Sequence, residues 1–209
     1  MGRFWSYLGG VVINPRRAFN LLLADPKLLT HSLGAVLLIG ILYTLTIIGL
    51  AVVGADISTP AWIAIPAEDY YFWEIFFAMP VYFLAWILAS GLAQLMSQAF
   101  KGRGTFEGTF AVLGFALTIP SFVTWIPETI ETLLFLLGVM SPAEWQEIIA
   151  RPGFWRGFAV AYQFIAVAWY LILFPIAIAA AQKLRWWQAM VVGTLTVAIV
   201  GLVILIFIR

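Results

Sequence analysis

The side chains in this sequence that could carry acid–base, nucleophilic or ligand chemistry are few, and their spacing argues against catalysis. One histidine, His31, stands between Thr30 and Ser32, and the carboxylate nearest to it in sequence, Asp25, is six residues earlier. An imidazole switches charge near neutral pH, but one histidine builds neither a multi-histidine zinc site nor a typical haem site. A hydrogen-bonding histidine at a polar boundary is the plainer reading. The acidic pairs Glu68/Asp69, Glu128/Glu131 and Glu144/Glu147 can gather a divalent cation or act as acid and base, although adjacent or i,i+3 carboxylates in loops ordinarily form solvated surface. Cysteine is absent, which removes disulfides, thiolate metal sites and cysteine nucleophiles. The glycine-rich run Gly102–Gly108, GRGTFEG, lacks the glycine–lysine–serine/threonine ending and preceding strand of a phosphate-binding loop. No catalytic residue, cofactor or metal site is expected, and no nucleic-acid partner.

A second set of polar side chains lies inside otherwise apolar runs: Gln94, Gln98, Thr118, Ser121, Thr124, Tyr162 and Gln163. In hydrocarbon an unpaired amide costs several kcal/mol, so these groups must either bond between helices or line a water- or lipid-filled cavity. Which of the two holds depends on whether they converge.

The elements that must position them follow from composition. Sixty-four per cent of the 209 residues are hydrophobic and ten per cent charged, against about 25% charged in a soluble domain. The chain reads as all-α, a polytopic bundle of five membrane-spanning helices with short interfacial helices. The five runs are Leu33–Gly54, Ile75–Gln98, Thr109–Ile126, Phe158–Ala181 and Ala189–Ile208, none containing Asp, Glu, Lys or Arg, and each is near the ~20 residues that cross a bilayer. The first begins too far from the N-terminus to read as a cleavable signal, and is expected to be a retained span. Five alternating spans put Arg3, Arg16, Arg17, Lys27, Lys101, Arg103, Lys183 and Arg185, eight of the 11 basic residues, on one side. Arg151, Arg156 and Arg209 fall on the other side, together with eight of the 10 acidic residues. Basic residues accumulate in short cytoplasmic segments. The N-terminus is therefore expected in the cytoplasm and the C-terminus outside or in the periplasm.

Residues 1–32 form a cytoplasmic amphipathic segment, and 33–209 the membrane domain. Asn14-Pro15 and Asp25-Pro26 each pair a capping acceptor with a proline suited to a first helical turn, so a short helix is expected to start at each. Ala18, Phe19, Leu22 and Leu23 give the first of these an apolar face, which either lies on the membrane surface or packs on the protein's own cytoplasmic side. Trp62, Tyr70, Tyr71, Phe72 and Trp73 have the character of headgroup-level anchors. An external helical cap is expected at about 127–156, from an amphipathic segment Pro127–Met140, or its re-entrant alternative, and a helix opened by a capping box at Ser141 and Glu144. Ala85, Ala89, Ala93 and Ser97 form a small-residue seam for close helix approach. Pro80, Pro120 and Pro175 kink their spans.

Asn14-Pro15-Arg16-Arg17-Ala18-Phe19 before the first span, the turn Gly102 to Phe110 carrying Gly104, Thr105 and Phe106, and Gly114-Phe115 followed by Pro120 together resemble the Yip domain family, five-span membrane proteins named for interaction with Ypt/Rab GTPases. The resemblance covers nearly the whole chain in layout and implies a cytosolic N-terminus and a lumenal or external C-terminus. Eukaryotic members bear an Asp-Leu-Tyr-Gly-Pro motif in a long cytosolic region. Here that region is short and lacks the motif, which counts against Rab-type GTPase binding and points to a prokaryotic member in the cytoplasmic (inner) membrane. The expected role is non-enzymatic: organising membrane or partner proteins, with membrane lipids and a membrane-protein partner or a second copy as contacts. The alternatives are a transporter or lipid-handling facilitator without an ionisable intramembrane relay, and an accessory subunit of a larger membrane complex.

Overall fold

The computed structural model describes residues 2–57 and 62–208; residues 58–61, in the loop after the first span, and Arg209, counted above with the external basic residues, lie outside the described residues. Eight α-helices and no strand are present among the described residues: α1 (Gly2–Ile13), α2 (Pro15–Leu23), α3 (Leu28–Val52), α4 (Tyr70–Ala99), α5 (Phe106–Leu136), α6 (Pro142–Ala150), α7 (Phe154–Gln182) and α8 (Trp186–Phe207). The helices α3, α4, α5, α7 and α8 are long and apolar enough to cross a membrane, so the protein is an all-α polytopic bundle.

Helix α5 is the axis. Residues Ala111 to Ser121 are buried without a break, and two-thirds of its apolar window (67%) is covered by protein, against 33–44% in the other four spans. A helix apolar on every side must be surrounded on every side, and α3, α4 and α7 pack around it. Helix α8 closes the outside of the α4–α7 groove. Its Gly193 sits against Pro175 of α7 so closely that a Cβ would lie 2.7 Å from the proline nitrogen. The small-residue seam of α4 is fully inside: Ala85, Ala89, Ala93 and Ser97 are all at most 1% exposed. The outward faces of the peripheral helices remain apolar, with Ile41 and Leu45 on α3, Leu88 on α4 and Leu195 on α8 exposed, as contact with lipid requires.

Several boundaries differ from the sequence reading. Residues 2–13, which carry no capping signal, form helix α1. Asn14 caps α2 as expected, its side chain accepting from Arg17 N with Pro15 at the first turn. Asp25 does not start a helix: its carboxylate takes the Lys27 N–H, and α3 begins at Leu28. Ala18, Phe19 and Leu22 are buried, and α2 packs on α5 and α7, so that face lies on the protein itself. Of the five aromatics after the first span, Tyr70 and Tyr71 are buried while Trp62, Phe72 and Trp73 are exposed. The largest change is at Pro127, where α5 continues to Leu136 instead of ending. The reason is tertiary: Gly49 of α3 fits against Thr132, whose Oγ1 bonds the Glu128 carbonyl, so packing against α3 supports the helix past its proline.

Candidate functional site

Asparagine, glutamine and hydroxyl side chains in an apolar bundle must find partners there, and in this fold they gather in separate groups. The first is at the end of the bundle that carries the basic turns. The last residue of α7, Gln182, is 0% exposed, and its side-chain nitrogen donates to Gln94 Oε1 of α4 and to Thr109 Oγ1 of α5. Its side-chain oxygen accepts from Gly104 N at 3.2 Å, and its backbone oxygen accepts from Arg103 N at 3.0 Å. Gln94 Nε2 reaches Gly104 O at 3.4 Å, and Gly102 N donates to Ser97 O at 2.8 Å. Thr105 then caps α5, accepting from Gly108 N at 3.1 Å. The glycine-rich turn is thus stitched to the ends of α4 and α7, and the amides of Gly102, Arg103, Gly104 and Gly108 are engaged by protein groups. This arrangement is a joint rather than a ligand cradle.

The second group crosses the other half of the bundle. Tyr43 of α3 bonds Thr124 of α5, Thr124 Oγ1 donates to Ser121 O at 3.0 Å, and Ser121 Oγ pairs with Tyr170 OH of α7 at 2.6 Å. Thr46 and Thr129 pair at 2.8 Å, and Trp125 Nε1 donates to Thr46 Oγ1 at 3.1 Å. The Tyr82 ring of α4 lies 5.4 Å from that of Tyr43. Glu128, half-buried on the continued part of α5, is engaged by Tyr43 and by Gln163 of α7. At about 1.5 Å per residue, Glu128 is about 33 Å along α5 from its first residue, close to the far edge of a ~30 Å hydrocarbon core. Glu131, one turn on, is engaged by Trp145 of α6.

The seven candidate residues therefore do not meet at one point. Gln94 belongs to the glutamine joint, and Ser121 and Thr124 to the hydroxyl chain. Gln163 reaches that chain through Glu128, with Tyr162 beside it. Thr118 is fully buried three residues before Ser121, and its hydroxyl has no hydrogen-bond partner among the described residues. Gln98 is exposed at the basic end, outside the joint. The sequence reading missed Gln182 because it is the last helical residue, just beyond the apolar run. It also took Glu128 and Glu131 for a solvated loop pair, and the continuation of α5 corrects that. The other two pairs are surface: Glu68 and Asp69 are exposed, Glu144 completes the capping box with Ser141, and Glu147 lies 3.5 Å from Arg151. The Ser141 N–H lowers the carboxyl pKa of Glu144.

The family-motif residues serve packing and turns. Asn14 and Pro15 open α2, Phe19 is 0% exposed, and Phe115 packs 6.2 Å from the rings of Phe4 and Tyr7. Gly114 is pressed against Ser32 and Trp86, where a Cβ would lie 3.1 Å from the indole. Phe106 stacks on Phe110, and Pro120 is buried inside α5.

A third group fastens the N-terminal helices. Asp25, 5% exposed, accepts from Tyr7 OH at 2.7 Å, Lys27 N at 2.8 Å and Arg3 at 3.3 Å. His31 stands 3.7 Å away, with Phe4 stacked against it. The Tyr7 hydrogen bond, then the Lys27 N–H and Arg3, hold the Asp25 carboxyl at about 2, below its ordinary 3.8, while burial first and Asp25 second raise the Tyr7 phenol. Since the folded value lies below the unfolded one, this stabilisation is complete above 3.8 and is lost as pH falls toward about 2. Amide-exchange protection of α1, corrected for intrinsic rates, is expected to fall across that acid range. Asp25→Asn should show the loosened α1 at neutral pH, and unchanged protection in that variant would disprove the latch.

No curated protein and no solved structure gives a match to the chain. The Yip1 domain family model matches residues 9–208, a span that takes in the end of α1, all of α2, the glutamine joint and all five apolar helices. The chain is an integral membrane protein and belongs to the Yip1 domain family.

Proposed function

We propose that the protein is a non-enzymatic organiser of membrane or partner proteins, set in the cytoplasmic membrane of a prokaryote with its N-terminus in the cytoplasm and its C-terminus outside. The observation that carries this reading is that polar side chains of different spans bond to one another within the same chain, as at Gln94, Thr109 and Gln182. That leaves a stiff apolar bundle with helices on both ends. In the same reading residues 1–32 are the cytoplasmic segment, 33–209 the membrane domain, and the end of α5 with α6 the external cap. The partner is a membrane protein or a second copy. Cross-linking in the native membrane should recover a reproducible partner, and deletion should alter membrane morphology. A lone stable monomer with neither effect refutes the reading.

Orientation has its own test, because the chain contains no cysteine. A single cysteine at Arg103 should be labelled by an impermeant reagent only after permeabilisation, and one at Gly138 from outside intact cells. The reverse pattern overturns the topology.

One observation favours a second reading, a transporter or facilitator: Glu128 sits between α3 and α7 in contact with Tyr43 and Gln163, and ionisable groups inside spans commonly mark transport paths. Flux through reconstituted liposomes that disappears in Glu128→Gln would establish it. No flux in the wild type removes it.

A further inference from the structure

A cleft of about 310 Å³ lies at the basic end, between α2 and the α7–α8 turn. Its mouth is formed by Arg16 and Asn20 of α2 and by Lys183 and Trp186 at the turn, and its floor by apolar residues of α7 including Ile176 and Ala180. The Arg16 guanidinium stands 5.7 Å from the centre of the Trp186 ring, a cation–π arrangement that holds it across the cleft from α2 to α8. Lys183 occupies the left-handed region (φ 57°, ψ 33°) as the C-cap of α7. The ion pairs among the described residues use Arg3, His31 and Arg151, so neither Arg16 nor Lys183 is neutralised by a carboxylate.

The position gives the cleft its meaning. The α7–α8 turn joins two membrane-spanning helices, so Lys183 and Trp186 stand at headgroup level, where tryptophan and basic residues concentrate. From Lys183 to Ile176 the floor descends about 10 Å along α7 into the hydrocarbon. A charged mouth at headgroup depth above an apolar wall matches an amphiphile with an anionic head. A free anion would use only the mouth.

We infer that this cleft binds the headgroup of an anionic phospholipid, its phosphate between Arg16 and Lys183, Asn20 donating to it, and an acyl chain along Ile176 and Ala180. The site is independent of the organising role proposed above.

The test uses the full-length protein and phosphatidylglycerol, with phosphatidylcholine and inorganic phosphate as comparison arms, followed by native mass spectrometry and titration in nanodiscs. The wild type should prefer phosphatidylglycerol. Arg16→Gln and Lys183→Gly should each weaken that preference about fivefold, the effect of one basic residue near an anionic surface. Arg17→Gln removes the same charge outside the cleft and should bind as the wild type does. Lys183→Gly also places glycine where the backbone is left-handed, so loss of binding there is not a folding defect. Equal binding of the two lipids, equal weakening by Arg17→Gln, or full competition by inorganic phosphate overturns the assignment. So does a protein, rather than lipid, captured by a photoreactive cysteine adduct at Asn20.

Discussion

Replacing Gln182 with leucine should destabilise the bundle more than any other single polar change. The substitution keeps most of the side-chain volume but removes three side-chain bonds at once, to Gln94, Thr109 and Gly104. Measured interhelical side-chain bonds in membranes average about 0.6 kcal/mol, which for three bonds sets a floor of about 2 kcal/mol. The buried partners left behind add about 1–3 kcal/mol for each group that finds no substitute. Unfolding of the purified protein in mixed micelles should therefore shift by about 2 kcal/mol or more. A Gln94→Ala change in the same background should add less than it costs alone, since the two side chains share one network. Full additivity would show that the joint is not a unit.

Gly104→Ala should approach this effect for a different reason. A Cβ there would fall 2.8 Å from the Ala181 carbonyl carbon and 3.0 Å from the Gln182 Cα, well inside contact distance of the Ala181 oxygen. These obstacles are backbone, which cannot rotate away as a side chain can. Overpacking typically costs about 1–3 kcal/mol, and here it also pushes the turn off Gln182, stretching the bonds from Arg103 and Gly104. The internal control is Gly91, in the middle of α4, where an added Cβ would meet nothing within 4 Å. Gly91→Ala should leave stability unchanged or raise it by about 0.5–1 kcal/mol. If both alanines are tolerated, the turn is looser than its geometry indicates.

The turn from Lys101 to Gly108 shows how far sequence alone reaches. Its basic residues and glycines locate a short connection between two apolar runs, and the threonine that caps α5 is of a residue type suited to that position, because both signals are local. That Gly104 is required by the end of α7, 77 residues away in sequence, is invisible in the sequence, since the residue it must avoid is defined only by packing. Pro127 shows the opposite failure. Proline removes a helical hydrogen bond and its ring crowds the preceding turn, so a break is the sound local expectation, but contact with α3 carries α5 through it.

Composition, the lengths of the apolar runs and the asymmetry of charge determined by themselves that this is a five-helix membrane protein, because hydrocarbon imposes a length and a polarity on each segment independently of the others. The short motifs were enough to suggest the family. The tertiary structure alone decided which polar side chains meet. It separated Gln94 from Ser121 and Thr124, brought in Gln182, and moved Glu128 from an expected loop to the interior edge of the bundle. It also set Arg16 and Lys183 on either side of one cleft. Each of these pairings joins helices distant in the chain, and lipid, which gives every apolar helix a similar exterior, leaves the choice of neighbour to close packing and to interhelical hydrogen bonds.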